Sequence, residues 1–275
     1  MPAVERVPTL GVRVTDGSSS TDLLQQGSLE LAGRLVHASN GTFYCDLVLD
    51  ETTSAAVYKP IRGERPLWDF PEGTLAGREL ATYLISEATG WSVVPPTVLR
   101  DGPLGPGMVQ LWIEDVEDST IDLVPLGRVP EGWRRVLDAF DQEGNEISLV
   151  HADTPELRRV ALLDVIVNNA DRKGGHLLRV PGGHVYGVDH GLCFHTDDKL
   201  RTVLWGWAGE PLSETELAVL TKLEGQLSGA LGPRLAPLLQ PAEIQALEAR
   251  IGKVRGAGVF PEPSEDWPSI PWPVF

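Results

Sequence analysis

Cysteine is scarce in this 275-residue chain, which carries only Cys45 and Cys193. Two thiols cannot make the disulfide framework on which small secreted domains depend. Positive charge is also in short supply. Against 39 Asp and Glu stand 23 Lys and Arg, a formal net charge of −16. Broad nucleic-acid binding and adhesion to an anionic membrane both need a basic surface, so neither is expected; a local basic pocket remains compatible with that total. No apolar run approaches the roughly 18–20 residues of a membrane span. The N-terminus lacks the basic, apolar, small-residue pattern of a leader. The expectation is a cytoplasmic chain in reducing surroundings. No internal repeat of roughly 20–50 residues is visible. The histidines at 176, 184, 190 and 195 form no His-x-x-x-His pair with a glutamate, and there is no Cys-x-x-Cys, so a dedicated zinc site is not expected.

What is present is enough apolar sequence, 42%, for a real core. The length suits one large domain or two small lobes. Residues 1–27 read as a polar arm, with Gly17-Ser18-Ser19-Ser20 a flexible stretch or early turn. From Ser28, three short runs with turn residues between them, Leu29–Val36, Phe43–Leu49 and Ala55–Pro60, predict an antiparallel meander. A helix is predicted from about Thr74 to Ala88, its apolar face formed by Ala76, Leu80, Tyr83 and Leu84 and its stop at Gly90. Val93–Leu99 and Met108–Ile113 read as further strands, which makes residues 28–115 a small β-rich lobe.

Residues 114–150 are acidic and loop-rich and read as a bridge into a second part, residues 116–258. There Thr154, Pro155 and Glu156 supply the cap, first-turn proline and first-turn acid of a helix that is apolar nearly all round from Val160 to Val167, and therefore buried. Only Asp164 interrupts it. A lone buried charge is costly, so Asp164 should accept hydrogen bonds from the Asp171 loop backbone or from Arg172. Ser213 and Glu216 make a capping box, and Pro241–Ile251 reads as a helix stopped by Gly252. Residues 259–275, rich in Pro and Trp, read as an extended tail.

The chemistry concentrates between Asp171 and His195. Asp171 and Asp189 each end an apolar segment beside a turn, separated by a hairpin-sized stretch, so both can face one cleft. One could orient or deprotonate a hydroxyl while the other holds a divalent cation against phosphates. Lys59, on an apolar strand near the Ser39-Asn40-Gly41-Thr42 turn, could reach phosphate oxygens while turn amides cradle others; the plain alternatives are a solvent-facing lysine and an ordinary hairpin connection. Glu79 could pair with Lys59, or else sit on a solvated helix face beside Arg78. His176 could be a ligand, a phosphate contact or a loop-stabilising donor. Trp205 and Trp207 could line an acceptor site or pack in the core.

The order Lys59, Glu79, Gln110-Leu111-Trp112-Ile113, Asn168-Asn169-Ala170-Asp171-Arg172-Lys173-Gly174-Gly175-His176 and Val188-Asp189-His190-Gly191 resembles the phosphatidylinositol 3-/4-kinase-like superfamily. It looks closest to its small bacterial branch, distantly related to HipA-type kinases. The resemblance covers roughly residues 28–225, and its specificity lies mainly in 164–194. It implies an α+β, bilobed, protein-kinase-like fold, with a small β-rich N-lobe, a mainly helical C-lobe and ATP between them. Residues 39–42 would be the phosphate-covering loop, Lys59 the phosphate-binding lysine, Glu79 its ion-pair partner and Gln110–Ile113 the hinge beside adenine. Asp171 would be the catalytic aspartate of an Asp-Arg loop with Arg172, and Asp189 a ligand for Mg2+ or Mn2+. His176 stands where the family usually has asparagine as a second metal ligand, and His190 where related kinases often have phenylalanine. These departures point to altered metal preference, to nucleotidyl transfer, or to a chain that binds nucleotide without turnover. The implied acceptor is a hydroxyl on a protein or soluble metabolite, with neither a nucleic-acid partner nor stable membrane association.

Overall fold

The computed structural model describes residues 17–35, 40–114, 116–264 and 266–275. A first helix, α1 (Gly17–Gln26), stands where a flexible arm or turn was expected. Its Leu23 and Leu24 are buried, and packing against the following sheet is what holds so short a helix. The sheet comprises β1 (Ser28–Arg34), β2 (Phe43–Leu49), β3 (Thr52–Pro60), β4 (Thr97–Gly102) and β5 (Gly105–Leu111), in the order β1-β2-β3-β5-β4, with every pairing antiparallel.

Alternation along β3 sets the two faces of this sheet. Tyr58 packs with Leu23, Leu24, Cys45 and Val109 on the α1 side. Lys59, next in sequence, reaches the other side, where its Nζ donates to Glu79 of α2 (Leu75–Thr89). α2 ends at Gly90 in the left-handed conformation, as the sequence suggests. At its start Thr74 makes no side-chain cap; the carboxylate of Glu64 accepts from the amides of Leu75 and Ala76 at 3.1 and 2.9 Å instead.

The expected loop-rich bridge is a second antiparallel sheet. β6 (Ile121–Pro125), β7 (Trp133–Phe140) and β8 (Glu146–Ala152) lie in the order β6-β8-β7. It leads into α3 (Pro155–Val167), capped by the Thr154 hydroxyl on the amide of Leu157 and stopped by Asn168 at φ 55°. From Val160 to Val167 every residue of α3 is buried, against α2, the loops after α3 and the later helices. The hairpin β9 (Leu177–Arg179) and β10 (Val185–Gly187) follows. α4 (Glu214–Gln226) carries the Ser213–Glu216 capping box. After the one-turn α5 (Gly232–Leu235), α6 (Pro241–Ala257) runs through Gly252, because Leu247, Ile251 and Val254 continue its buried stripe; it stops at Gly258. Trp205 and Trp207 are core residues, their indole N–H groups bonded to the Ser269 carbonyl and the Asp153 carboxylate.

The tail is packed. The Ser269 carbonyl accepts from the Thr202 amide, and that of Val274 from the Gly174 amide at 2.8 Å. The Phe275 ring lies 2.8 Å from where a Cβ on Gly174 would stand. Among the described residues no helix is long and apolar enough to cross a membrane. The chain is thus α+β, a sheet-rich N-terminal part followed by a larger part in which helices predominate.

Candidate active site

Three separate elements bring their side chains to one point. Lys59 of β3 places its ammonium 2.6 Å from Glu79 Oε1 on α2 and 2.7 Å from Asp189 Oδ1, two residues after β10. The second oxygen of Glu79 accepts from the amide of His190 at 2.9 Å, so one buried carboxylate fixes both the lysine and the backbone beside Asp189. Arg78 next to it is buried too, bonded to the Cys193 carbonyl and to Glu243; this face of α2 is not solvated.

Burial alone would depress the Lys59 pKa, but the carboxylates of Asp189 and Glu79 outweigh it and raise the ammonium above the ordinary lysine value. In turn the Lys59 charge holds Asp189 well below the usual carboxylate range, against the opposing effect of burial. Asp189 has φ 62°, left-handed backbone that a non-glycine residue seldom adopts but aspartate tolerates better than most. Its side chain is 51% exposed, while that of Glu79 is 2% exposed, so Asp189 is the open end of the cluster. His176 Nε2 stands 3.4 Å from Asp189 Oδ2, and its Nδ1 is buried without a partner. Burial lowers the His176 pKa despite Asp189, so the ring is neutral at neutral pH.

The Asp171 side is built on Asp164. Arg172 is fully buried, and each of its five N–H groups has a partner: both oxygens of Asp164 at 2.8 and 2.9 Å, the carbonyls of His176 and Val188, and His190 Nε2 at 2.6 Å. Asp164 therefore takes Arg172 as partner, together with the Asn169 side chain at 2.9 Å, and not the loop backbone. Arg172 has no donor left for a substrate. The expectation of a catalytic role gives way to a positioning one, because Arg172 ties α3 to the segments that carry His176 and Asp189. Since its Nη2 donates, His190 Nε2 must accept, and burial followed by the Arg172 charge keeps the His190 pKa well below its ordinary value. Asp171 is partly exposed, its Oδ2 3.1 Å from Lys173 Nζ and its amide bonded to Asn169 Oδ1.

Other candidate residues are engaged differently. Ser39 lies outside the described residues. Asn40 accepts from the Arg65 amide, Gly41 donates to the Gly63 carbonyl, and Thr42 donates to the Asn40 carbonyl at 3.4 Å. Gln110 is buried and donates to Thr97. The amides of Leu111 and Trp112 are bonded to Pro96 and Ala55, and the Trp112 ring meets Tyr44 edge-on; Ile113 follows beyond the end of β5. Sequence reasoning missed Asn169 and His190 as organisers of the loop. An asparagine two residues before an aspartate is a recognisable turn signal; nothing local marks His190.

A divalent cation fits this donor set in one way. Among the described residues no group of three or more His, Cys, Asp and Glu is gathered for a metal. Mg2+ is commonly held by one or two carboxylates while phosphates and water complete its shell. The half-exposed Asp189, with His176 beside it, suits a cation that arrives with phosphates and not a resident all-protein site.

No family model matches the chain. Phosphatidylinositol 4-kinase gamma 5 of Arabidopsis thaliana is 25% identical over 189 residues, 64% of this chain but 29% of that protein. Phosphatidylinositol 4-kinase gamma 7 of the same plant is 24% identical over 191 residues, again 64% of this chain and 28% of that protein. These similarities support a kinase-like fold. Over 275 residues, 96% of this chain and 99% of the relative, the sequence is 47% identical to Protein Rv2133c of Mycobacterium tuberculosis. The chain belongs to the same family as that protein. Among solved structures, the proinflammatory kinase CtkA of Helicobacter pylori aligns with a TM-score of 0.45 at 10% identity, covering 86% of this chain and 94% of that one.

Proposed function

We propose that this protein is an ATP-dependent phosphotransferase that moves the γ-phosphate to a hydroxyl on a protein or small molecule. The observation that carries the reading is the Lys59 ammonium held between Glu79 and Asp189 at 2.6 and 2.7 Å. Phosphoryl transfer asks for positioning and charge neutralisation more than covalent chemistry. Lys59 supplies a point charge for phosphate oxygens, and Glu79 keeps it aimed. Asp171 takes the proton from the acceptor hydroxyl as the new O–P bond forms and ADP departs. Asp164 and Arg172 act at one remove by fixing the Asp171 loop against the Asp189 segment. Mg2+ or Mn2+, when bound, offsets phosphate charge, and Asp189 is the residue to hold it, with His176 beside it. The triphosphate lies under residues 39–42, between the part ending at residue 115 and the part beginning at 116. Adenine rests beside Gln110–Ile113 through contacts other than the Leu111 and Trp112 amides, which are already engaged.

The test is ATP consumption and label transfer to protein or metabolite pools with Mg2+ or Mn2+. Asp171→Ala removes turnover and spares nucleotide-induced thermal stabilisation; Asp189→Ala abolishes metal-dependent turnover. Normal turnover in both variants defeats the assignment. His176 beside Asp189 favours a second reading, a nucleotide-binding module or nucleotidyl transferase. Stabilisation by ATP with no transfer selects the first of these, and release of pyrophosphate the second.

A further inference from the structure

Three arginines surround a pocket of about 350 Å³ at the far end of the five-stranded sheet, lined by Arg34, Arg62, Arg65, Phe43, Pro60 and Leu104, with Gly41 and Gly63 in its wall. Phe43 and Leu104 pack on the cluster that contains Tyr58, and Arg34 is paired with Phe43 across β1 and β2. Pro60 follows Lys59 on β3. By strand alternation the pocket therefore opens on the Tyr58 side of the sheet, opposite the face from which Lys59 meets Glu79 and Asp189.

The chain carries a net charge of −16, yet among the described residues none of these three guanidinium groups has a carboxylate partner or a hydrogen bond. The nearest acid in sequence, Glu64, lies between two of them and lines an adjoining pocket with them, but its carboxylate is taken by the first amides of α2. The turn that bears Arg62 and Arg65 is held in place. Gly41 donates to the Gly63 carbonyl at 3.0 Å, the Arg65 amide donates to Asn40 Oδ1 at 2.9 Å, and a Cβ on either glycine would stand within 3.3 Å of the other's Cα. Three cations without an ion-pair partner among the described residues, over an apolar floor, suit a multiply charged anion, and guanidinium forks match phosphate oxygens two at a time.

We propose that the Arg34–Arg62–Arg65 pocket binds a phosphate group carrying two or more negative charges, at a site separate from the Lys59 cleft. The phosphate belongs to a soluble phosphate ester or to a lipid headgroup; both present the same oxygens.

The experiment is calorimetric titration of the full chain with inorganic pyrophosphate, in a Lys59→Met background that disables the cleft, and in the same background carrying Arg62→Ala and Arg65→Ala. Saturable binding is expected in the first and a weakening of tenfold or more in the second, with a steep fall as salt rises. All three arginines are exposed, so unligated melting temperatures should match and report intact folding. Co-sedimentation with phosphatidylcholine vesicles, with and without phosphatidic acid, separates the sources. Arginine-dependent pelleting assigns the headgroup, and pyrophosphate binding without pelleting assigns a soluble ester. Loss of pyrophosphate binding with Lys59→Met alone, or unchanged binding and pelleting in the arginine variants, overturns the site.

Discussion

Asp164–Arg172 and Lys59–Asp189 are both carboxylate–cation pairs, at 2.8 and 2.7 Å, and they stand on either side of the Asp189–His190 segment. The first pair has no exposed side-chain surface, and every N–H of its arginine is matched. The second leaves half of the Asp189 side chain in water and spends one lysine on two acids. A fully desolvated, fully matched pair cannot trade partners without stranding a charge. A half-exposed one can exchange an ammonium for another cation at little cost. The difference separates the part of the site that holds shape from the part that can meet a ligand.

Breaking the buried pair should have the largest effect. Arg172→Met is expected to cost about 3–5 kcal/mol, since it leaves Asp164 charged and alone; urea or guanidinium midpoints check this, and a loss under about 1 kcal/mol would contradict the comparison. Asp189→Asn should alter stability by only about 1 kcal/mol, because half of the Asp189 side chain is in water and Lys59 keeps Glu79 as its partner, while removing ATP turnover. If this variant unfolds as readily as Arg172→Met, the distinction between the two pairs disappears.

The pH response sharpens the same contrast. The folded-state pKa values of His151, His176 and His190 are all lowered, that of His151 to about 4. The unfolded chain takes up protons below about pH 6.5 that the folded chain refuses, so stability falls as pH falls through that region. Asp189, with its depressed pKa, contributes above about pH 4 and loses its contribution below that; Lys59, with its raised pKa, holds its contribution until pH passes about 10.5. Denaturation midpoints at about pH 5 and 7 should differ, and the difference should shrink in His190→Gln; an unchanged slope would place the proton uptake elsewhere. Smallest is Ser213→Ala. This removes the capping box of α4, far from both pairs, and should cost about 1 kcal/mol with turnover unchanged.

How much of this was legible follows from how local each cause is. Asp164 announces itself as one charge in an apolar helix, and burial leaves it little choice but a cation nearby. The Thr154 and Ser213 caps are read from three or four consecutive residues. The β6–β8 sheet was not legible, because a register shift between Arg135 and Leu137 breaks the two-residue period of β7 and its faces are only half buried. Gly252 reads as a stop only when helix propensity is weighed without the Leu247–Ile251–Val254 stripe that overrides it. Nor could spacing foresee that five donors of Arg172 would be consumed by partners spread from Asp164 to His190. That pattern exists only once α3 and the β9–β10 hairpin are docked.

The contact between Val274 and Gly174 reaches into practice. Clipping the last few residues to tidy an expression plasmid would uncover a hydrophobic spot behind Asp171 and leave one peptide N–H without its acceptor. Assays on such a shortened chain would measure a different loop, so the Pro- and Trp-rich ending should be kept whenever catalysis is the question.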